Sequence, residues 1–372
     1  MGRLLRRAAC SLLLARHVVM QRVTNLTSGP ITQAIEGAIE RGWIRGAVVA
    51  VARQDMPVET VATGVDAAGQ PLAPDSLLPV ASITKLATAL AVLRLAGAGA
   101  LDIDDGVGQH LPEAAARDGV TLRHVLCHTA GLADDVPGEA APYALGLDWP
   151  ALARACLATP PVGPPGERVR YSNVGPGLLA IIVERLTGKT FSAALDELVF
   201  HPLGLEAYLG VDPPRPPACI GGDLGQYTGT DLEPFNSSFW RSLALPWGGL
   251  ITNTADALAL ARAFAGAPAV FLPAELLAEA RHDQTGGLGG GMGVFGEWPH
   301  CPWGLGVELR DAKTPHWTPA SASAASFGHV GASGCVAWVD PTAGIGWAIH
   351  VVQATRLALH TVLPWIGEAV RG

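Results

Sequence analysis

A serine and a lysine stand three positions apart, Ser82 and Lys85, in the apolar segment LLPVASITKLATALAVLRLAGAG. Residues three apart on a helix lie on the same face, with Cβ atoms roughly 5 to 6 Å apart, so the amine can reach the hydroxyl. A serine hydroxyl is a poor nucleophile until a neighbouring base accepts its proton. The pair therefore predicts nucleophilic attack by Ser82 on a carbonyl carbon.

The pairing alone is weak support, because 13 serines and 3 lysines in 372 residues would produce one by chance with a probability on the order of 0.1. Two further motifs follow in the chain. The triplet YSN occupies positions 171–173, ahead of a predicted helix, and HVG occupies positions 329–331 within a predicted strand. Together the three motifs favour catalysis over a solvated helix lysine.

This ordered set resembles the serine β-lactamase and penicillin-binding-protein superfamily, in particular its class C-like branch, which includes family VIII carboxylesterases, D-aminopeptidases and D,D-peptidases. That superfamily carries S-x-x-K, then a triplet ending in Asn, then a K-T-G-like strand. The segments LRHVLCHTAGL, PGERVRYSNVGPGLLAIIVERLTGKTF and PWGGLITNTADALALARAF are similar to further family stretches. The resemblance covers about residues 30 to 365.

Two side chains are candidates for the general base. Lys85 can accept the serine proton only if burial and a nearby positive charge or dipole lower its pKa towards neutrality. Tyr171 is the alternative, with the pKa of its phenol lowered by Lys85 as a cationic neighbour. The sequence leaves the two schemes open.

The oxyanion formed during attack needs hydrogen-bond donors. Ser82 at a helix N-terminus offers its own backbone N–H. The resemblance implies that the second donor is the backbone N–H of Ala332. We expect Gly331 to let the backbone approach the ligand closely, and Asn173 to position the acyl side of the substrate.

The main departure from the lactamase pattern is His329, which stands where lactamases usually carry lysine. A histidine near its unperturbed pKa is mostly neutral at pH 7, so it lacks the permanent charge that would hold a substrate carboxylate. Apolar residues near the motifs, such as Trp240, Trp247 and Phe327, also favour an uncharged substrate. We therefore expect neutral short-chain esters to be better substrates than β-lactams.

Competing motifs fit their usual contexts poorly. His124, Cys127 and His128 are spaced like metal ligands, but H-E-x-x-H requires glutamate where Val125 stands. The stretch GMGVFG at 291–296 matches G-x-G-x-x-G, but a turn-rich segment follows it where a helix is required. We therefore predict neither a metal nor another cofactor, and interpret the glycine-rich tract at 286–296 as a mobile loop.

Two other hydrolase signatures are also excluded. The stretch KTP at Lys313 imitates K-T-G, but Pro315 lacks the N–H that a central strand needs. No serine satisfies G-x-S-x-G, since GASGC ends on Cys335. An α/β-hydrolase is therefore not predicted.

Composition narrows the class of protein. Hydrophobic residues make up 49% and charged residues 16% of the chain, which indicates a well-filled globular core. The net charge of -8, without a Lys/Arg cluster beyond the first seven residues, argues against a nucleic-acid partner. No apolar run reaches 18 residues, so no transmembrane segment is predicted. The expected partner is a small-molecule ester, and the oligomeric state stays open.

The N-terminus, MGRLLRRAACSLLLARHVVMQRV, has a basic start and a short apolar patch, as a secretory signal has. Arg16 and His17 interrupt the patch, no clean A-x-A cleavage site follows, and Met20 is an alternative start. The six cysteines form no C-x-x-C pair, which favours free thiols over a disulfide framework. We predict a cytoplasmic protein, with export as the alternative.

The elements predict an α+β protein with a β-lactamase/transpeptidase-like fold. Strand patterns occur near both ends, GAVVAVARQ with VETVATG and later FGHVGASGCVAWVDPTAGIGWAIHVVQ, while helical patterns dominate the middle. We expect an antiparallel sheet flanked by N- and C-terminal helices. It would form a discontinuous α/β domain over 23–80 and 250–372, with an inserted helical domain over 81–249 and the active site between them. Residues 1–22 would be an extension that could be disordered.

The sequence thus predicts a serine hydrolase that cleaves carboxylic esters through an acyl-enzyme on Ser82. The same residues could instead serve a β-lactamase, a D-aminopeptidase or a D,D-peptidase. A catalytically silent binding protein with this fold is a further alternative, which the intact set of Ser82, Lys85 and Tyr171 disfavours.

Overall fold

The computed structural model describes residues 29–54, 56–137 and 144–372; the predicted extension over 1–22 lies outside these ranges. The helices are α1 (Pro30–Glu40), α2 (Thr84–Gly97), α3 (Val107–His110), α4 (Leu122–Leu126), α5 (Trp149–Ala158), α6 (Val174–Thr187), α7 (Phe191–Leu195), α8 (His201–Leu203), α9 (Ser238–Ser242), α10 (Thr254–Phe264), α11 (Ala274–Ala280) and α12 (Leu363–Arg371). Shorter helical turns are 3₁₀ at Ala81–Ile83, Gly225–Tyr227 and Gly293–Phe295 and π at Asp196–Phe200 and Ala358–Val362.

The strands are β1 (Gly46–Arg53), β2 (Glu59–Gly64), β3 (Leu78–Pro79), β4 (Val169–Arg170), β5 (Ala207–Tyr208), β6 (Gly221–Gly222), β7 (Ile251–Thr252), β8 (Gly290–Gly291), β9 (Glu297–Trp298), β10 (Glu308–Leu309), β11 (Phe327–Gly331), β12 (Cys335–Asp340), β13 (Ile345–His350) and β14 (Gln353–Ala354). Six of them form one antiparallel sheet in the order β10-β11-β12-β13-β1-β2. Strands from the N-terminal and C-terminal parts of the chain are neighbours in this sheet, because β1 pairs with β13.

The sheet is covered on both faces. Alternate residues of a strand point to opposite faces; Val49 accordingly packs in the cluster that includes Ile35 of α1 and Ile366 of α12, while Ala50 packs with Leu258 of α10. Burial on both sides explains why β1 is a nearly continuous apolar run. The expected antiparallel sheet with flanking terminal helices is confirmed.

The segment between β2 and β7 is mainly helical, and α2 packs against α6. Residues 83–93 are all buried, which marks α2 as a central helix. The division into two domains at 80/81 and 249/250 stays a prediction. Within the described ranges, no helix is long and apolar enough to cross a membrane, and the five cysteines there are free thiols.

The glycine-rich tract at 286–296 differs from the expected mobile loop, because part of it is a strand. That strand, β8, runs parallel to β4, with Val169 opposite Gly290. A Cβ on Gly290 would lie 1.9 Å from the Val169 carbonyl oxygen, and its φ is +150°, so this position excludes a side chain. The tract thereby supports the backbone that leads directly into Tyr171.

Candidate active site

Ser82 lies in the 3₁₀ turn that leads into α2. It is partly exposed, whereas both of its neighbours, Ala81 and Ile83, are buried. Ala81 has a φ of +46°, which is uncommon for a residue with a side chain and costs of order 1–3 kcal/mol. The strained turn presents the serine while the adjacent residues fill the core. Nothing in the sequence signalled this strain.

The turn is held by the segment PWGGL at 246–250. Thr84 donates from Oγ1 to the Ala81 carbonyl at 2.6 Å and accepts the Leu250 N–H at 3.0 Å. The Val80 N–H donates to the Leu250 carbonyl at 3.0 Å. These bonds fix the backbone on both sides of Ser82, and so can compensate for the strain at Ala81.

Lys85 points from the first turn of α2 back to the serine. Its Nζ lies 3.2 Å from Ser82 Oγ, 2.8 Å from Asn173 Oδ1 and 3.0 Å from the Trp247 carbonyl oxygen. A neutral amine has two N–H donors and one lone pair. Since the amide and the carbonyl can accept both donors, the lone pair of neutral Lys85 is directed to the Ser82 hydroxyl, as proton abstraction requires.

Burial lowers the pKa of Lys85 to about 7, while the negative charge of Asp135 acts in the opposite direction. Removing the ammonium group from water disfavours its charged form. The expectation of a depressed lysine pKa agrees with this value. A group with a pKa near the working pH can both accept and return a proton.

Tyr171 follows β4, and its N–H donates to the Gly291 carbonyl at 3.1 Å. Lys85 Nζ lies 4.6 Å from the centre of its ring. The alternative scheme with Tyr171 as base requires Lys85 to lower the pKa of the phenol, but burial raises that pKa well above its usual value and the neighbouring Ser82 hydroxyl opposes the rise only in part. Tyr171 is therefore neutral at pH 7, and Lys85 is the better candidate for the base.

Asn173 has both ends of its amide engaged by protein groups. Oδ1 accepts from Lys85, and Nδ2 donates to Asp135 Oδ2 at 3.0 Å. The Asn173 N–H also donates to the Asp134 carbonyl at 2.7 Å. This geometry orients Lys85, a role that the sequence did not indicate, since the expectation was contact with the substrate.

β11 ends at Gly331, beside the turn that carries Ser82, and Ala332 follows directly. A Cβ on Gly331 would lie 2.4 Å from the Val80 carbonyl oxygen and 2.5 Å from Cys335 Sγ. The glycine thus allows β11 to approach the turn around Ser82 closely, and the expected close approach to a ligand stays a prediction. Ala332, the next residue, is partly exposed. Its N–H remains a candidate oxyanion donor together with that of Ser82.

His329 is fully buried, and its ring lies against Tyr171 and Trp303, with centroids 5.9 and 5.5 Å apart. Its Nδ1 lies 2.6 Å from the Val330 carbonyl oxygen, so Nδ1 carries the hydrogen. Burial, followed by the charge of Lys85, lowers the pKa of His329 to about 4. The expected neutral histidine agrees with this, but full burial differs from a position that grips a substrate carboxylate directly.

The histidines of the rejected metal motif have other partners. His124 lies 3.2 Å from Thr121 Oγ1 at the start of α4, and His128 packs against the rings of Tyr171 and Trp303 at 4.6 Å. His128 Nδ1 also accepts the Ser172 N–H at 3.3 Å. In the described parts of the chain, no group of three or more His, Cys, Asp or Glu side chains could hold a metal ion.

Asp135 was missed by the sequence reasoning, because it lies 38 positions from Asn173 and belongs to no recognised motif. Replacing it with asparagine keeps an acceptor for Asn173 but removes the negative charge that raises the pKa of Lys85. We expect the rising limb of the pH–kcat/KM profile in Asp135→Asn to move to lower pH. The measurement is that profile on a neutral ester, with the exposed Asp134→Asn as control. An unmoved limb would show that Asp135 does not act on Lys85.

A family model described as Beta-lactamase matches residues 31–364. Esterase EstB of Burkholderia gladioli is 31% identical over 332 residues, which cover 79% of this chain and 82% of EstB. Penicillin-binding protein 4 of Amycolatopsis lactamdurans is 32% identical over 233 residues, or 59% of each chain.

A solved structure described as "EstCE1, a hydrolase with promiscuous acyltransferase activity" superimposes with a TM-score of 0.74 at 22% identity, covering 92% of this chain and 98% of that one. At this identity the likeness supports the fold alone. The family model spans every candidate residue from Ser82 to Ala332.

Proposed function

We propose that this chain, which belongs to the beta-lactamase family, cleaves neutral carboxylic esters through an acyl-enzyme intermediate on Ser82. Membership confirms the resemblance seen in the sequence and the α+β, β-lactamase/transpeptidase-like fold class, and it makes the chain a serine hydrolase. The observation that carries the proposed mechanism is the Lys85 amine, held between Ser82 and two carbonyl acceptors.

Acylation starts with neutral Lys85. Its lone pair accepts the Ser82 proton while Oγ bonds to the ester carbonyl carbon, and the carbonyl π electrons move onto oxygen. The N–H groups of Ser82 and Ala332 stabilise that oxyanion. When the intermediate collapses, the bond to the leaving alkoxy oxygen breaks, and this oxygen receives the proton from Lys85, directly or through the Tyr171 phenol. An alcohol leaves, and the acyl group remains on Ser82.

Deacylation repeats these steps with water as the nucleophile. Water loses a proton to neutral Lys85 as it adds to the acyl carbonyl, and Ser82 Oγ recovers that proton as the carboxylic acid departs. The neutral Tyr171 phenol can donate a hydrogen bond at each stage, because its raised pKa prevents its ionisation at pH 7.

The charge of the site favours neutral esters. Burial lowers the pKa of both histidines beside Tyr171, His128 and His329. Lys85 must be uncharged to act as the base, and Asp135 adds a negative charge behind Asn173. A substrate carboxylate would meet repulsion and little compensating positive charge. The esterase relative from Burkholderia supports the same choice.

We expect methyl pentanoate to be hydrolysed with a kcat/KM at least about fivefold higher than monomethyl glutarate, which replaces the terminal methyl group with a carboxylate. Fivefold corresponds to roughly 1 kcal/mol, the scale of one partly solvated charge interaction. The two values are measured in parallel at pH 8. Faster hydrolysis of the carboxylate ester would contradict the neutral-ester proposal.

A second candidate activity uses the same residues on cyclic amides or peptides. The similarity to Penicillin-binding protein 4 of Amycolatopsis lactamdurans is the reason to test this activity as well. A panel of neutral esters, a β-lactam, a D-amino-acid amide and a D,D-peptide should therefore be assayed with one preparation. Turnover of a β-lactam or peptide without ester hydrolysis would replace the ester proposal.

A further inference from the structure

An apolar pocket of about 380 Å³ lies beside Ala332. Its apolar walls come from distant parts of the chain, among them Leu224, Phe235, Trp240, Phe295 and Leu359. Ligand pockets commonly have volumes of roughly 300 to 1,000 Å³ and apolar linings. The pocket therefore has the size and surface of a small-molecule site, next to the amide assigned to the oxyanion.

Phe235 supports this interpretation through its backbone. Its φ is +68°, a conformation that is a genuine outlier for a bulky residue and that tends to occur at functional sites. The next residue, Asn236, holds the chain in place: its Nδ2 donates to the Ile220 carbonyl and its Oδ1 accepts the Ile220 N–H, both at 2.8 Å. The fold thus maintains a strained backbone that fixes the position of the Phe235 ring.

The partner ring is also fixed. Trp240 lies in α9, whose first turn is capped by Ser237 Oγ accepting the Trp240 N–H at 3.1 Å. The rings of Phe235 and Trp240 pack edge to face, with centroids 5.7 Å apart and an interplanar angle of 71°. Two preorganised rings form a wall that can contact an aromatic or bulky apolar group without a large ordering cost.

Charge does not select an ion at this pocket, because its two charged lining residues, Asp223 and Arg356, have opposite signs. We propose that this pocket binds an uncharged aromatic group attached to the scissile ester, and that Phe235 determines this specificity. The inference rests on the proposed ester hydrolysis and extends it: the group on one side of the ester is small, as expected from the sequence, and the group on the other side is a ring.

The test compares three esters: ethyl acetate, benzyl acetate with its ring on the alcohol side, and methyl phenylacetate with its ring on the acyl side. In Phe235→Gly the backbone strain is relieved and the ring is removed. We expect the kcat/KM ratio of one aromatic ester to ethyl acetate to fall by roughly tenfold, the scale of losing apolar contacts in a pocket. The use of ratios cancels the different intrinsic reactivities of the esters.

Phe239→Ala is the matched control. Phe239 lies in α9 next to Trp240, packs against the main core and is not part of the pocket wall, so its removal should leave the ratio unchanged. Melting temperatures of both variants separate specificity from stability. If Phe235 served only packing, Phe235→Gly would change the melting temperature and leave the ratio unchanged, which would overturn the inference.

A second measurement does not depend on ester turnover. Benzyl methyl ketone and butanone are compared as protectants of Ser82 against a fluorophosphonate. We expect stronger protection by the benzyl ketone in the wild type and the loss of that difference in Phe235→Gly. If the protection difference is observed while no ester is hydrolysed, the pocket inference is supported and the ester proposal is contradicted. The pocket inference alone would be contradicted if ethyl acetate is hydrolysed, the aromatic esters show no higher kcat/KM than ethyl acetate, and benzyl methyl ketone protects Ser82 no better than butanone.

Discussion

Replacing Ser82 with alanine is expected to lower kcat/KM for a neutral ester by roughly 10⁴-fold or more, the scale seen when a catalytic nucleophile is removed. The reason is geometric: Ser82 Oγ lies 3.2 Å from the Lys85 amine and is partly exposed between two buried neighbours. Without that oxygen no acyl-enzyme can form. Steady-state kinetics measure the loss, and a fluorophosphonate probe should label the peptide that contains Ser82.

A matched control is available in Ser326, a fully buried serine whose hydroxyl donates to the Ser323 carbonyl at 2.8 Å. Ser326→Ala removes a buried hydroxyl but leaves the nucleophile, so it should retain activity and labelling. Labelling on a peptide other than the one containing Ser82, or full activity in Ser82→Ala, would contradict the assignment of Ser82 as the nucleophile.

The local part of this site could be predicted from the sequence. Residues three apart at a helix start share one face, so the proximity of Ser82 and Lys85 follows from their spacing alone. The β1–β2 hairpin was predictable for a similar reason, since alternation and turn residues act over a few positions.

The remainder of the site depends on long-range packing. The Trp247 carbonyl that holds Lys85 lies 162 positions away along the chain, and any residue could supply such a carbonyl, so its side chain gives no signal. The raised pKa of Tyr171 results from burial of its hydroxyl group, which cannot be deduced from YSN. Gly290 belongs to a tract whose composition indicates a loop, and only the neighbouring β4 strand explains why a side chain is excluded there.

The apolar pocket beside Ala332 is the feature that the sequence predicts least. Its walls come from five separate parts of the chain, around positions 224, 235–240, 295, 332 and 354–359, and of these only Ala332 adjoins a family motif. Motifs therefore indicate the reaction, because the reacting groups are few and similarly arranged. The residues that choose the substrate are dispersed and have ordinary side-chain types.

Removing the side chain of Lys85 or the hydroxyl of Tyr171 should each lower kcat by at least about 10²-fold, the lower range for general acid–base groups. Lys85→Met removes the base and keeps an apolar stem of similar length in the buried position. Tyr171→Phe keeps the ring that lies 4.6 Å from the amine and removes only the phenol. A fully active Tyr171→Phe enzyme would exclude the phenol from the mechanism.

The pH dependence distinguishes the two bases. Lys85 acts as base only when neutral, and its pKa is lowered to about 7, so kcat/KM of the wild type should rise as the pH increases through about 7. The free enzyme controls this limb, because kcat/KM reports the ionisation of unbound groups. Tyr171→Phe should keep the rising limb at reduced height, whereas Lys85→Met should lose it. Lys189→Met, which removes an exposed lysine, should change neither height nor shape. A limb that persists in Lys85→Met would assign the titration to another group, and the lone pair directed at Ser82 would no longer explain how the serine is activated.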